Sequence, residues 1–230
     1  MNTLATALKT LTFFDGLDEA AIGRLADLCR KHDYHAGEIM IGHQDESFDV
    51  LFLLSGRARV NLYSVDGMRV SFRDITKGAI FGELSAIDGE PRSASVECVD
   101  ACSAAIMPRK AFNEALGSHP AFMKAVVTHL ARQMRAMTAR VFEFSTLAVR
   151  NRVHAELLRF ADEAGAEKEC LLAPAPHHAE IANRIRTHRE AAKRELSRLE
   201  TMGLVSKEGR NLRIRDVAKL RRLVEDVSAE

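Results

Sequence analysis

Residues 81–96, Phe81-Gly82-Glu83-Leu84-Ser85-Ala86-Ile87-Asp88-Gly89-Glu90-Pro91-Arg92-Ser93-Ala94-Ser95-Val96, decide how this chain is to be read. Gly82 lets backbone come close to a ligand, because it has no Cβ to hold it off. A carboxylate follows at Glu83, and nine residues later stand a guanidinium and a hydroxyl, Arg92 and Ser93. A carboxylate accepts from a pair of sugar hydroxyls, and a guanidinium beside a hydroxyl suits a phosphate. A short helical turn at residues 84–87 would also aim unpaired N–H groups at an anion. The same residue types would serve an internal Glu83–Arg92 ion pair that closes a loop. Taken alone they leave both readings open.

Around this stretch, residues 36–106 consist of short apolar runs punctuated by Gly37, Gly42, Gly56, Gly67, Gly78, Gly82 and Gly89. Runs at 50–54, 58–62 and 96–99 have strand length and β-branched or aromatic content. Asp66-Gly67, between Leu62-Tyr63 and Val70-Phe72, suits a two-residue type I′ turn, which needs positive φ twice. The region reads as an antiparallel β-barrel or sandwich. Residues 18–30 before it read as a short amphipathic helix with Ile22, Leu25 and Leu28 on one face, and 108–116 as another short helix. Cys98 and Cys102 read as core residues rather than metal ligands.

From Pro120 the period changes. Met123, Val127, Leu130, Met134, Met137, Val141 and Phe144 alternate at spacings of four and three, a heptad stripe without glycine or proline. A stripe that narrow is expected to meet a partner helix, as a parallel homodimer seam. A second helical block spans 147–161, and Pro174 and Pro176 interrupt the chain after it. Helical patterns follow at 178–185 and 189–202, split by Arg186-Thr187-His188 and stopped by Gly203. Residues 204–206 and 212–214 then read as a small hairpin. The pair of helices has helix-turn-helix spacing, with Ile181, Ile185, Ala192, Leu196 and Leu199 as its core. His188, Arg189, Glu190, Lys193 and Arg194 lie at the start of the second helix, the part that enters a major groove. Arginine takes both acceptors of a guanine and glutamate accepts from cytosine N4. A surface helix carrying a Glu190–Arg194 ion pair is the alternative.

Charge supports the first of these. The 230 residues carry 33 Lys and Arg against 32 Asp and Glu. Residues 177–222 hold a balance of +7 and residues 1–176 a balance of −3. Charge sorted in this way points to a C-terminal part that meets a polyanion. With 47% hydrophobic and 28% charged residues the composition is that of a globular protein, not a disordered one. No apolar run reaches the roughly 18–20 residues of a membrane span. No signal peptide is read at the N-terminus, and four irregularly spaced cysteines exclude a disulfide scaffold, so a cytoplasmic location is expected. No nucleophile–base pair, metal-ligand set or nucleotide-triphosphate loop is visible, and the chain is not expected to be an enzyme or to hold a metal.

The whole chain resembles the cyclic-AMP receptor protein / fumarate-nitrate regulator family of bacterial transcription regulators. Residues 81–96 are similar to the phosphate-binding cassette that this family shares with cyclic-nucleotide-dependent kinase subunits: Gly-Glu-Leu-Ser, then Arg-Ser-Ala, at the family spacing. The resemblance implies an α+β fold. Residues 1–118 would form a double-stranded β-helix (jelly-roll) cyclic-nucleotide-binding domain, 119–145 a dimerisation helix, and 146–230 a winged helix-turn-helix. It implies that Glu83 binds the ribose 2′-hydroxyl, that Arg92 and Ser93 hold the cyclic phosphate, and that the backbone of Gly82, Leu84 and Ser85 lines the sugar. The family places hydroxyl residues against the base at the positions of Met137 and Thr138; Thr138 matches and Met137 departs. Gln44 and Ser47 stand where the family has turn glycines, Arg186 where it has a glycine in the helix-turn-helix, and His177 where it has a Ser or Thr cap. The implied ligand is cyclic AMP, with cyclic GMP or ligand-independent DNA binding as the alternative. The implied partners are double-stranded DNA with TGTGA-type half-sites, a second copy of the chain, and RNA polymerase, with no membrane.

Overall fold

The computed structural model describes residues 3–63 and 69–228. The chain divides into two compact units, residues 1–134 and 135–230. The first begins with α1 (Thr3–Lys9) and α2 (Glu19–Asp27), followed by β1 (Arg30–Tyr34), β2 (Ile39–Ile41), β3 (Val50–Ser55), β4 (Arg57–Tyr63), β5 (Arg69–Thr76) and β6 (Ile80–Phe81). After these come α3 (Glu83–Asp88), β7 (Ser95–Cys98), β8 (Cys102–Met107), α4 (Arg109–Ser118) and the start of α5 (Pro120–Thr146). The strands form two antiparallel sheets, ordered β1-β8-β3-β6 and β2-β7-β4-β5, which is the order of a jelly roll. The expected Asp66-Gly67 turn lies outside the described residues.

The apolar run of β3 is continuous because both of its faces are buried. Leu51 and Leu53 face the core between the sheets, with Ile41, Ile75, Phe81, Val96, Cys98 and Cys102. Val50 and Phe52 face the other way, into a core with Phe13, Phe14, Phe112 and Phe122 from the helical layer. The helix read at 18–30 is shorter. Asp18 is its N-cap, accepting from the Ala21 N–H at 2.6 Å, and Arg30 already opens β1. β1 is an edge strand whose first four residues are exposed, so the Arg-Lys-His-Asp segment carries no alternation to read.

In α5, Phe122 and Val126 enter the helical-layer core and Leu130 packs partly against it. The heptad stripe lies elsewhere on the helix: Met123, Val127, Met134, Met137 and Val141 are all exposed on this chain.

The second unit contains the C-terminal end of α5, then α6 (Val149–Glu163), β9 (Cys170–Leu172), α7 (His178–Arg184), α8 (Arg189–Thr201), β10 (Val205–Glu208), β11 (Asn211–Ile214) and α9 (Val217–Ser228). Its antiparallel sheet runs β10-β11-β9. β9 is a third wing strand that the sequence did not announce, because prolines follow it. The expected hairpin is there with longer strands and a tighter turn, Glu208 pairing Asn211 across Gly209-Arg210. One core joins Val153 and Leu157 of α6 to Ile181, Ile185, Ala192, Leu196, Leu199, Leu212 and Ile214.

Candidate ligand pocket and nucleic-acid interface

The cassette stretch folds as a strand end, a left-handed step and a short helix. Gly82 has φ +82° and precedes α3, and a Cβ there would meet Arg92 Nη1 at 2.7 Å and the Asp49 carbonyl oxygen at 3.0 Å. Both the backbone conformation and the close approach therefore require glycine. Arg92 is only 3% exposed. Its Nε donates to Ser47 Oγ at 3.0 Å, Nη1 to the Gly82 carbonyl at 2.7 Å and Nη2 to the Asp49 carbonyl at 2.7 Å. Arg92 thus closes the loop through carbonyls and not through Glu83, so the internal Glu83–Arg92 ion pair does not form. Of the five guanidinium N–H groups, one remains on each terminal nitrogen. Ser47, which replaces a family glycine, is an acceptor for this arginine, and Gln44, another replacement, keeps the left-handed conformation at φ +66°.

Glu83 is buried, at 5% exposure. Burial pushes its carboxyl above the usual range, against the opposing pull of its own backbone N–H, Arg73 and Arg92. A cavity of about 90 Å³ lies among Val60, Arg73, Glu83, Arg92 and Ser93. Leu84 and Ser93 are exposed at its margin, and Ser85 is buried.

Three side chains around Glu83 and Arg92 carry no local sequence signature. Arg73 lies on the same side of β5 as the buried Ile75, and it pairs in register with Val60, which packs partly against the core between the sheets. With the Gln133 amide turned so that its oxygen faces Arg73, that oxygen accepts from both terminal guanidinium nitrogens, at 3.2 Å for Nη2. His129 Nε2 is 3.8 Å from Glu83 Oε1, and burial, with Arg73 and Arg132 nearby, pushes the ring down to about 4, so it is neutral at pH 7. An arginine in step with inward residues of a strand was the available signal for Arg73. Met137 and Thr138 lie on exposed positions of α5 past residue 134, in the second unit.

In the second unit, α8 buries Ala192, Leu196 and Leu199 and leaves His188, Arg189, Glu190, Lys193 and Arg194 exposed. Glu190 and Arg194 do not pair with one another, so the first turns of α8 present separate polar groups. The N-cap of α7, His177, makes no side-chain capping bond. Arg186 takes the left-handed conformation, φ +52°, in the turn before α8. Between α7, α8 and the β10–β11 wing runs a cleft of about 850 Å³, lined by His177, His178, Arg189, Lys207 and Arg210 among others. Its cations suit a phosphodiester chain. His178 is held below the ordinary histidine range by burial and by Lys207, Arg189 and Lys193. Buried His154 on α6 meets Glu195 of α8 at 2.7 Å and fixes the helix from behind.

Comparison with known proteins assigns a domain to each part of the chain. The profile of the cyclic nucleotide-binding domain matches residues 31–119, and that of the Crp-like helix-turn-helix domain matches residues 151–223. The chain is 24% identical over 211 residues to the CRP-like cAMP-activated global transcriptional regulator of Mycobacterium tuberculosis, covering 91% of this chain and 94% of that one. It is 25% identical over 188 residues to the cAMP-activated global transcriptional regulator of Salmonella typhimurium, covering 80% and 89%. Among solved structures, the c-di-GMP-responsive global regulator of Xanthomonas campestris superposes with a TM-score of 0.74 at 18% identity, over 86% of this chain and 99% of that one. Among the described residues no helix is long and apolar enough to cross a membrane. With a cyclic-nucleotide-binding jelly roll followed by a Crp-like DNA-binding domain, the chain belongs to the cyclic-AMP receptor protein / fumarate-nitrate regulator family of transcription regulators, and is a DNA-binding regulator rather than an enzyme.

Proposed function

We propose that the protein is a cytoplasmic, dimeric regulator that binds cyclic AMP in the jelly roll and then engages a palindromic DNA site, with RNA polymerase as its further partner. The observation that carries this reading is the joint placement of buried Glu83 and buried Arg92 around one cavity. Glu83 accepts from the ribose 2′-hydroxyl. Arg92, already oriented by three protein acceptors, turns its remaining N–H groups to the cyclic phosphate, and Ser93 donates to the same group. A cavity of about 90 Å³ is well under the roughly 300 Å³ at which small-molecule pockets begin. It therefore takes the sugar–phosphate end, while the base is met outside by Thr138 and Met137. The names of the Mycobacterium and Salmonella relatives favour cyclic AMP over cyclic GMP.

The exposed stripe Met123, Val127, Met134, Met137 and Val141 supports a parallel homodimer, since a/d positions bury against a partner helix. In this reading residues 1–118 bind the ligand, 119–145 dimerise and 146–230 bind DNA. His188, Arg189, Glu190, Lys193 and Arg194 face the bases, with half-sites about 34–36 Å apart. The ligand acts by contacting one arrangement of the dimer better than the other. Calorimetry with cyclic AMP and cyclic GMP is the test. Cyclic AMP is expected to bind more tightly; tighter binding of cyclic GMP overturns the nucleotide assignment, and binding of neither overturns the pocket.

A further inference from the structure

Within the second unit a buried carboxylate gathers arginines from three helices. Glu156 of α6 has no solvent exposure. Its Oε2 accepts from Arg140 Nη1 of α5 at 2.6 Å and from Arg159 Nη1 of its own helix at 2.7 Å. Its Oε1 accepts from Arg184 Nη1, in the last turn of α7, at 3.1 Å. Arg159 also bonds Glu143 on α5. One turn further along α5, the Phe144 ring lies under three guanidinium groups: Arg186 at 5.0 Å, Arg152 at 5.6 Å and Arg140 at 5.9 Å. Arg184 ends α7, and Arg186 lies in the turn between α7 and α8. The last turns of α5 therefore hold that turn twice, through Glu156 and through Phe144.

This explains an arginine at a position where glycine would be free of cost. A non-glycine residue in the left-handed conformation carries a steric cost between its Cβ and the following carbonyl oxygen. The stacking of Arg186 on Phe144 supplies a contact that glycine cannot make. It also shows why Phe144, though in step with the heptad stripe, is half-buried against its own chain.

We propose that Arg140, through Glu156, is the positioning residue by which α5 sets the placement of the DNA-reading helix. The proposal rests on the reading of the protein as a nucleotide-responsive DNA-binding regulator. α5 is one continuous helix from Pro120 to Thr146, and its first turns are seated in the jelly-roll core through Phe122 and Val126. A change in the helix therefore reaches the helix-turn-helix at Arg140 and Phe144. The competing account treats Glu156 as an internal counter-ion whose only role is to keep three arginines compatible with burial. The two accounts differ at Arg140. If Arg140 is neutralised, Glu156 keeps Arg159 and Arg184, so no buried carboxylate is stranded and the C-terminal core stays intact.

The test uses the full chain, Arg140→Gln, and fluorescence anisotropy on a symmetric TGTGA-type site with and without cyclic AMP. Thermal melting and affinity for a random duplex serve as controls. In the wild type an allosteric response of roughly 5- to 150-fold is the ordinary range. The variant is expected to unfold in one cooperative transition, roughly a few degrees below the wild type, and to bind random DNA equally. Its response to cyclic AMP is expected to fall below about twofold, within the uncoupled limit. Arg140→Lys keeps the charge without the planar fork, is expected to lie between the two, and carries the test if the glutamine variant does not fold. A wild-type-sized response in the folded variants overturns the proposal while leaving the functional reading intact. A wild type whose DNA affinity ignores every cyclic nucleotide overturns the reading itself, and the proposal with it.

Discussion

Truncating Arg92 to alanine removes two things at once, and the structure separates their sizes. The first is architectural. The Gly82 and Asp49 carbonyls each lose a 2.7 Å charged donor, whereas exposed Ser47 turns to water. A buried acceptor left without its partner costs about 1–3 kcal/mol, and for two half-buried carbonyls a total of about 2–4 kcal/mol follows. In a chain of this size that lowers the melting temperature by roughly 5–15 °C. The second is loss of the phosphate's counter-charge. Removing one member of a buried charge pair costs about 2–5 kcal/mol, or about 30-fold to a few thousandfold in affinity. The assay is calorimetric titration with cyclic AMP below the melting temperature of Arg92→Ala, paired with melting of ligand-free protein. Arg92→Lys keeps a cation but loses the fork, so it recovers part of the affinity and little of the stability. A folded Arg92→Ala that binds within threefold of the wild type, on the order of experimental scatter, refutes the phosphate assignment. An unchanged melting temperature refutes the account of how the loop is held.

Other consequences are as direct. Glu83 has a raised folded-state pKa, so the stability its protonated form provides is present below the ordinary carboxylate value of 4.5 and is lost as pH rises through the raised value. Glu83→Gln should therefore melt higher than the wild type at pH 7, with the gap closing toward pH 4.5, and should bind cyclic AMP about tenfold more weakly, because a neutral acceptor replaces a charged one. A gap independent of pH contradicts this. For the seam, Leu130 packs partly on its own core, so Met134 and Val141, 70% and 65% exposed, are the cleaner positions. Aspartate at both should give monomers in sedimentation, and a persisting dimer places the interface elsewhere. In the DNA interface, Arg189→Ala should cost about 1–3 kcal/mol and flatten discrimination at one base pair per half-site. Arg210→Ala in the wing should weaken all sequences alike and lower the salt slope by about one per contact; base-by-base titration distinguishes the two, and uniform weakening by Arg189→Ala removes α8 from the bases.

The residues that sequence could identify are those whose meaning is local. Gly82-Glu83 and Arg92-Ser93 sit nine residues apart in one loop, so their chemistry and spacing are visible together. The heptad stripe of α5 and the apolar positions of α7 and α8 likewise carry their periods in the chain. Arg73, His129 and Gln133 have no such signature. Arg73 lines the pocket from β5, while His129 and Gln133 of α5 stand beside Glu83 and Arg73, and only the pairing of β5 with β4 and the packing of α5 bring the three together. β1 is not legible in the sequence because its first four residues are exposed on an edge strand, which has no need of apolar alternation. Gln44 and Arg186 teach a further point. Both stand where the family has glycine, and both keep the glycine conformation, with φ +66° and +52°. A missing glycine changes the cost of a turn before it changes its shape, and contacts such as Arg186 on Phe144 offset that cost.

The central claim is that a cyclic nucleotide in the jelly roll governs how the dimer holds DNA. Its most direct test is the affinity of the full chain for a symmetric TGTGA-type duplex, titrated at fixed salt with no nucleotide, with cyclic AMP and with cyclic GMP. The account predicts binding at a stoichiometry of two chains per duplex, tightened at least fivefold by cyclic AMP, the lower end of ordinary allosteric coupling. An affinity that is the same in all three conditions contradicts it.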